Sequence, residues 1–344
     1  MHISDFDYEL PPDLIAQTPL AERDASRMMV LDRREQTWTD SSFKEFTSYL
    51  QPNDVVVVNN SRVIPARLAG RRTETGGHVE IFLVREIHNN VWEVLMRPGA
   101  RLKESSLVTI GEGKLIAEIL DSPGVEIRRV RFHCKGPFHE VLAEVGSTPL
   151  PPYIKRPTGV SQEDRERYQT IYSKHHGAIA APTAGLHFTK EVLAEVASIA
   201  SLAEVTLHVG YGTFEPVRVD DVVQHSVTGE HFEISESTAH TINEARAKGG
   251  RVIVIGTTTM RALESSATQE GLVVARSGVA TLTIKPGYHF RVADAMLTNF
   301  HLPRSSLLIL VSAFAERELV LRAYGHAVAE GYRFYSYGDC MLIL

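Results

Sequence analysis

The sequence predicts a layered α/β sandwich into which a small β-barrel domain is inserted. Helix and strand patterns alternate at both ends of the chain, which is typical of α/β layers. Between them, short β-rich segments recur at regular spacing, which is typical of a small barrel. The length of 344 residues suits about two domains. We therefore expect a discontinuous α/β domain at 1–61 and 150–344, interrupted by a barrel at 62–149.

The N-terminal part of the chain has the pattern of a βαβ unit. A short apolar run at 28–31 predicts a strand, and Phe43, Phe46 and Leu50 fall on one face of a predicted helix at 43–50. Four consecutive valines at 55–58 predict a strand that is covered on both faces.

Turn signals such as Gly76-Gly77 and Asn89-Asn90 separate the β-rich segments of the expected barrel. These segments lie at 78–84, 91–96, 107–110, 115–120 and 125–132. Alternation of helices and strands resumes after the barrel, where Ser235 can cap a helix that Gly249-Gly250 ends. The other predicted elements are helices at 191–200 and 316–330 and strands at 204–209, 251–255 and 341–344.

Composition and cysteine usage exclude several classes of protein. Hydrophobic residues make up 43% of the chain and charged residues 23%, unlike disordered or collagen-like chains. Cys134 and Cys340 are too few for a disulfide framework, a cysteine zinc site or a three-cysteine iron–sulfur cluster. The N-terminus lacks signal-peptide features, and the longest apolar run, at 307–315, is shorter than the roughly 20 residues that cross a bilayer. We expect a cytoplasmic protein without a membrane segment.

Charge is divided unevenly along the chain. The whole chain has 36 Lys and Arg against 42 Asp and Glu, a net charge of −6, whereas 62–135 holds 13 basic and 9 acidic residues. The insert therefore carries a surplus of four positive charges and the remainder carries −10. The arginines of the insert fit either solvated strand edges that discourage aggregation or a phosphate-binding face.

Five segments rich in Gly, Thr, His and aromatic residues follow predicted strands, at 178–189, 207–214, 255–264, 297–303 and 332–339. Loops at the carboxyl ends of α/β strands usually bind ligands. Structural interpretations stay open: tight turns, a threonine-capped helix, an Arg261–Glu264 pair, and histidines or aromatic rings that belong to the core. Walker, Rossmann and nucleophile-elbow motifs are absent, and no histidine pair has metal-ligand spacing. The residues alone indicate an α/β enzyme with a polar, aromatic, histidine-bearing cleft, and they give only weak support for a metal site.

Distinctive strings along the whole chain resemble one enzyme family. The strings are Asp5-Phe-Asp-Tyr-Glu-Leu-Pro11, Arg23-Asp-Ala-Ser-Arg27, Val63-Ile-Pro-Ala-Arg67, Pro149-Leu-Pro-Pro-Tyr-Ile154, Tyr168-Gln-Thr170, the five segments above and Ser336-Tyr-Gly-Asp339. In these strings the chain is similar to the S-adenosylmethionine:tRNA ribosyltransferase-isomerases of queuosine biosynthesis. It departs from them at 59–63, at Thr228-Gly229, where a Met-His pair is common, and at Cys340.

The resemblance implies a reaction and its partners. The ribosyl part of the co-substrate S-adenosylmethionine is transferred to 7-aminomethyl-7-deazaguanine (preQ1) at the tRNA wobble position and isomerised, which gives epoxyqueuosine-tRNA, adenine and methionine. The sulfonium acidifies the 5′ carbon, so a base can remove a proton there, and an acid can assist the departure of adenine. No prosthetic group or metal is implied, and the family is associated with monomers. A methyltransferase that uses the same donor and a non-enzymatic RNA-binding protein stay open as alternatives.

Candidate residues follow from the resemblance and the loop chemistry. We expect His187 and His208 to transfer protons, with Glu230 or Glu264 as the carboxylate partner. The expected substrate-binding residues are Arg27, Thr183, Gly185, Phe188, Gly210, Gly212, Thr213, Phe214, Thr257, Thr258, Arg261, Thr298, Asn299, His301, Tyr335 and Asp339. Phe188, Phe214 and Tyr335 are candidate stacking surfaces for adenine or the wobble base. Arg97, Arg101 and Arg128 are expected to contact tRNA, and the acidic remainder of the chain to hold the cationic sulfonium.

Overall fold

The structure is a computed structural model that describes residues 1–99, 102–123, 125–157, 159–214 and 217–344, apart from the side chains of Thr213 and Phe214. The strands in these ranges are β1 (Arg27–Asp32), β2 (Thr37–Ser42), β3 (Val55–Asn59), β4 (Ser61–Val63), β5 (Arg67–Arg72), β6 (His78–His88), β7 (Val91–Arg97), β8 (Leu107–Ile110), β9 (Leu115–Ile119), β10 (Arg128–Cys134), β11 (Gly146–Ser147), β12 (His175–Ala178), β13 (Ser201–Leu207), β14 (Glu230–Ile234), β15 (Val252–Ile255), β16 (Arg276–Ala280), β17 (Ala295–Asn299) and β18 (Cys340–Ile343). The helices are α1 (Phe138–Val145), α2 (Gln162–Arg167), α3 (Lys190–Ile199), α4 (Glu236–Ala247), α5 (Thr257–Ser266), α6 (Ser306–Ala315) and α7 (Arg317–Ala329).

A mixed sheet forms the central layer of the α/β unit. Within the described ranges its order is β16-β14-β13-β3-β15-β17-β18-β1-β2, and β13, β3, β15 and β17 run parallel. Apolar side chains of α4, α5, α6 and α7 pack on one face, and those of α3 and a 3₁₀ segment (Phe43–Tyr49) pack on the other. The valines of β3 are buried because both faces are covered. The predicted α/β sandwich is confirmed.

A second sheet closes on itself to form the inserted barrel. Among the described residues, six strands follow one another in the order β5-β6-β7-β10-β9-β8, and β5 pairs with β8 to close the ring. Alternate side chains along each strand, such as Val79, Ile81 and Leu83 of β6, fill its interior. The predicted small barrel is therefore also confirmed.

The barrel contacts the α/β unit beside one of the polar loops. Strands β4 and β12 pair in parallel, with Ser61 opposite His175. Ile179, which directly follows β12, is fully buried in the barrel core. The loop that begins at Ile179 therefore lies at the junction of the two units.

The element predicted as a helix at 43–50 is a 3₁₀ helix, and the expected βαβ start contains an additional strand. Strand β2 forms a hairpin with β1 before the 3₁₀ segment begins at Phe43. Phe43 and Phe46 are fully buried, and their three-residue spacing suits a 3₁₀ helix, in which residues i and i+3 eclipse. The prediction of an α-helix was therefore wrong. The spacing of Phe43 and Phe46 does not distinguish an α-helix from a 3₁₀ helix, because either would bury both rings.

Candidate active site

Loops that follow strands of the central sheet meet in one narrow cleft. Gly256 follows β15, Val209 lies beyond the end of β13, and Asn299 is the last residue of β17. Residues 180–184, after β12, contribute a further wall. The empty space inside the cleft, including solvent at its mouth, is about 580 Å³. The cleft occupies the carboxyl edge of the parallel strands, where ligands of open α/β sheets usually bind.

The wall of the cleft is uncharged, and its polar side chains stand among apolar ones. Its polar side chains are hydroxyls, an amide and an imidazole, from Tyr153, Tyr168, Thr183, Thr257, Thr258, Thr298, Asn299, His301, Tyr335 and Ser336. No Asp, Glu, Lys or Arg lines it within the part of the chain that the structure describes. No acidic side chain of the described wall can therefore pair with a cationic ligand, although the cleft itself belongs to the acidic remainder of the chain that is expected to hold the donor.

Seven of the predicted substrate-binding residues come together here. They are Thr183, Thr257, Thr258, Thr298, Asn299, His301 and Tyr335. They lie far apart in sequence, but each stands in a loop or at a strand end that reaches the same edge of the sheet. Their roles toward a ligand stay predictions.

Asn299 connects the cleft to His187. Its Nδ2 donates to the carbonyl of Tyr335 at 3.1 Å and lies 3.2 Å from Nε2 of His187. The carbonyl partner fixes which end of the amide is the donor. Oδ1 is buried and has no hydrogen-bond partner among the described residues. Because a buried acceptor without a partner is costly, Oδ1 is a ready acceptor for a ligand group.

His187 is a buried, neutral imidazole behind the cleft wall. It is 4% exposed, and its Nδ1 lies 2.9 Å from Oγ of Ser26. Because Asn299 donates to Nε2, the ring proton is assigned to Nδ1 and is donated to Ser26. Burial, with the nearby Arg23 and Arg333, lowers the pKa of His187 to about 4. His187 therefore orients Asn299 and is not a proton donor near pH 7.

His301 is the imidazole that lines the cleft itself. Its Nε2 lies 2.9 Å from Oγ1 of Thr298. Its backbone is held at both ends, because its N–H donates to Oη of Tyr324 and its carbonyl accepts from the hydroxyl of Tyr8. Burial lowers the pKa of His301 to about 3, so the ring is neutral.

His208 does not line this cleft. Side chains alternate along an extended segment, so His208 points away from the face on which Val209 contributes to the wall. Its ring stacks on His231 with centroids 6.2 Å apart. Burial, His231 and His175 lower its pKa to about 4. Of the two histidines expected to transfer protons, His208 therefore does not contribute to the described cleft wall, and its role stays a prediction.

Glu230 and Arg261 form a buried ion pair that holds loops in place. Nη1 of Arg261 donates to Oε2 of Glu230, and the backbone N–H of Gly210 donates to Oε1 of Glu230 at 2.9 Å. Nη2 of Arg261 also donates to the carbonyl of Ala280 at 2.9 Å. Arg261 lines a separate pocket that adjoins the cleft at Leu307. The pair anchors the 208–214 loop to β14 and β16, and it does not line the cleft.

Glu264 is occupied by the backbone, which corrects its assignment as a catalytic carboxylate. Its oxygens accept from the N–H groups of Arg291, Val292 and Ala293 and from Oη of Tyr288, at 3.0 to 3.3 Å. It is 3% exposed. Glu264 therefore fixes the 288–293 segment, and the possible Arg261–Glu264 pair is not formed.

Phe188 and Gly185 have packing roles. Phe188 is fully buried and meets Phe43 edge to face at 5.1 Å, so it presents no stacking surface to a base. At Gly185 a Cβ atom would lie 2.0 Å from Oη of Tyr172, so only glycine fits. Phe188 is therefore corrected as a stacking surface, whereas a contact of the Gly185 backbone with a ligand stays a prediction.

The remaining predicted residues lie around the cleft or outside the described residues. The N–H of Arg27 donates to Asp339 at 2.9 Å, and the Arg27 guanidinium lies 3.7 Å from the ring centroid of Tyr332. Burial raises the pKa of Asp339. A Cβ on Gly212 would lie 2.4 Å from Oγ1 of Thr228, one of the residues that depart from the family pattern. The side chains of Thr213 and Phe214, and all of Arg101, lie outside the described residues.

The barrel arginines are not one uniform basic face. Arg128 is 2% exposed and donates to the backbone carbonyls of Gly99, Leu102 and Asp121, so its expected contact with tRNA is wrong. Arg97 is exposed and lines a shallow groove. The other residues of this groove are Arg67, Ala69, His78, Glu80, Pro98 and Ser147.

Three polar residues of the wall and one behind it were not among the residues expected from the sequence. Tyr153, Tyr168 and Ser336 line the cleft, and Ser26 holds His187. All four stand in strings that carry the family resemblance, at 149–154, 168–170, 336–339 and 23–27, so the signal was present.

Every helix among the described residues is too short or too polar to span a bilayer, and no group of three His, Cys, Asp or Glu side chains there is arranged to hold a metal ion.

The fold and the cleft together define an α/β enzyme with an inserted barrel and an uncharged polar site. A family model described as queuosine biosynthesis protein matches residues 3–343. The chain is 48% identical over 345 residues to an S-adenosylmethionine:tRNA ribosyltransferase-isomerase of Desulforamulus reducens, with 100% of both chains covered. A crystal structure of an S-adenosylmethionine tRNA ribosyltransferase from Thermotoga maritima is 37% identical, with a TM-score of 0.56 over 99% of this chain and 100% of that one.

The chain belongs to the queuosine biosynthesis protein family. It is an enzyme of the transferase and isomerase type.

Proposed function

We propose that this enzyme transfers and isomerises the ribosyl moiety of S-adenosylmethionine onto preQ1 at the tRNA wobble position, which gives epoxyqueuosine-tRNA and releases adenine and methionine. The uncharged polar cleft carries the proposal. Its threonines, Asn299 and His301 offer donors and acceptors for the ribose, adenine and the deazaguanine edge. The names of the relatives support the same donor and a tRNA acceptor.

His301 is the residue that we assign to proton removal from the 5′ carbon of the donor. Its imidazole lines the cleft, is neutral and is oriented through Thr298. Burial that lowers the pKa of His301 also makes the ring a weak base, so proton removal relies on the acidity that the adjacent sulfonium gives the carbon. His187 acts through Asn299 and is a positioning residue, whereas the contacts of Glu230 and Glu264 are structural.

The tRNA is proposed to dock on the barrel groove that contains Arg67 and Arg97. Exposed arginines suit phosphate contacts, which position a nucleic acid without reading its sequence. The wobble base must leave the stack to reach a cleft of this kind, as in other enzymes that modify bases.

A product assay tests the reaction. The enzyme is incubated with S-adenosylmethionine and tRNA that carries preQ1, or guanine as the control, at the wobble position. Chromatography with mass detection should find adenine, methionine and epoxyqueuosine in equal amounts only with the preQ1 tRNA. Formation of S-adenosylhomocysteine would instead identify a methyltransferase. No donor turnover on the preQ1 tRNA would overturn the proposal.

A further inference from the structure

Three tyrosine rings form one end of the cleft wall. Tyr153 and Tyr335 meet edge to face, with ring centroids 4.0 Å apart and an interplanar angle of 77°. Tyr168 is 1% exposed and packs edge-on against Tyr337. The hydroxyl of Tyr153 is occupied, because it lies 2.5 Å from Oγ of Ser336. Tyr153, whose hydroxyl is engaged, and its neighbour Tyr335 therefore offer rings to a ligand, whereas Tyr168 is too buried to do so.

Tyr335 is held in an unusual backbone conformation. Its φ of 72° lies in the left-handed region, which bulky residues rarely adopt. Three hydrogen bonds hold it there: its N–H donates to Phe300 O at 3.0 Å, and its carbonyl accepts from Asn299 Nδ2 at 3.1 Å and from the Gly338 N–H at 2.9 Å. Strain that is fixed in this way is typical of ligand sites.

The wall also places a neutral oxygen next to the rings. The Asn299 amide is anchored on the carbonyl of Tyr335, and its Oδ1 has no partner among the described residues. Ring faces carry partial negative charge and attract cations, and an amide oxygen does the same. The wall is therefore suited to a cation although no carboxylate lines the described part of the cleft.

We propose that the rings of Tyr153 and Tyr335, together with Oδ1 of Asn299, hold the sulfonium of the donor in a cradle that has no formal charge. This inference rests on the proposed function, because the cation it concerns is the sulfonium of S-adenosylmethionine. The cradle lies in the acidic remainder of the chain, which is expected to hold the donor, but the groups of the cradle itself are neutral.

A neutral cradle has a catalytic consequence. Removal of the proton from the 5′ carbon to a base converts the sulfonium cation into an ylide without net charge. A carboxylate beside the sulfur would stabilise the cation more than the transition state, in which this charge is being lost, and would slow the step. Rings and an amide oxygen attract the cation more weakly, so the sulfonium keeps most of its acidifying effect.

The test compares a charged ligand with a neutral one. Dissociation constants of S-adenosylmethionine and of its thioether S-adenosylhomocysteine are measured by calorimetry, with and without saturating tRNA that carries guanine and cannot react. The wild-type protein should prefer the sulfonium by about tenfold. Tyr335→Phe should keep this ratio, whereas Tyr335→Leu and Tyr153→Leu should bring it close to one. The ratio is internal to each variant, so a general loss of structure does not imitate the effect.

Tyr288→Leu is the matched control, because Tyr288 packs on Phe290 outside the cleft and should leave the ratio unchanged. An unchanged ratio in both cleft leucine variants would overturn this inference alone. A wild-type ratio of one would do the same. If neither ligand binds the wild-type protein in either condition, the proposed function fails and the inference fails with it.

Discussion

The barrel and the cleft differ in their charged side chains, which are frequent on the barrel surface and absent from the described cleft wall. On the barrel surface, arginines pair with nearby acids, as in Arg85–Glu93 at 2.9 Å and Arg129–Asp121 at 2.6 Å. Arg128 is buried in the barrel, and its Nη atoms donate to backbone carbonyls. The described cleft wall has no charged side chain, although the α/β unit contains most of the acidic residues. A segment's net charge therefore does not show where ions are recognised.

The difference predicts two kinds of sensitivity. In the cleft, function depends on the orientation of neutral groups, so loss of one hydrogen-bonding side chain should be severe and nearly independent of salt. On the barrel, function depends on a few exposed cations, so single losses should be mild and salt-dependent.

The largest effect is expected at Asn299. Asn299→Leu removes the donor to Tyr335 and His187 together with the buried acceptor, and should lower the single-turnover rate by roughly 10²- to 10³-fold. Asn243→Leu is the control, because Asn243 bonds only the backbone of Val273, at 2.9 Å in both directions, among the described residues. A folded Asn299→Leu protein with wild-type turnover would contradict the central position of Asn299 in the site.

The neutral imidazoles should make the protein sensitive to acid. The pKa values of His187 and His301 are lowered to about 4 and about 3 by burial, whereas both groups titrate near 6.5 in the unfolded chain. The unfolded state therefore binds more protons below pH 6.5, and stability falls as the pH drops through this window. Each group should cost on the order of 2 kcal/mol between pH 7.5 and pH 5.

Urea unfolding at these two pH values measures this loss. His301→Gln should lose less stability than the wild-type protein on acidification. His240→Gln should behave as the wild type, because the His240 side chain is 80% exposed. Equal losses in the wild type and the His301 variant would show that His301 is not buried in its neutral form.

A substitution at Glu264 should affect the stability of the fold but not the reaction in the cleft. Glu264→Gln turns an NH₂ group toward backbone donors at 291–293 and should lower the free energy of unfolding by about 1–3 kcal/mol. The single-turnover rate should stay within about twofold of wild type at a temperature where the variant is folded. A loss of rate similar to that of Asn299→Leu, in a protein that is still folded, would show that Glu264 takes part in catalysis.

The sequence was most informative where function depends on strand ends. Thr298, Asn299 and His301 stand in one polar segment that carries the family resemblance, at or just after the end of β17, and the topology brings such strand ends together. Which of the neighbours His208 and Val209 lines the cleft depends on how the other loops pack.

Residues whose burial depends on distant partners were assigned wrongly. Glu264 appears catalytic until the N–H groups of 291–293, about 28 positions away, are seen to occupy it. From the sequence, Arg128 was expected to be an exposed basic residue. In the structure β10 directs it inward, and its Nη1 donates to the carbonyls of Gly99 and Leu102. A local pattern gives the residue type and its spacing, but not the backbone groups that a fold brings to it.

The smallest effect is expected on the barrel, where Arg97 is the position tested and Arg85 is its control. Arg97 lines the proposed tRNA groove and makes no ion pair within the described residues, whereas Arg85 binds both carboxylate oxygens of Glu93. Arg97→Gln should weaken tRNA binding by a few-fold and reduce the slope of log K against log salt by about one, as for one lost phosphate contact. Arg85→Gln should leave the slope unchanged, because its charge is already neutralised by Glu93. Filter binding at several salt concentrations measures both variants. Equal slopes would show that Arg97 does not contact the tRNA, which would then dock on another face. The assignment of the neutral cleft would be unaffected by that result.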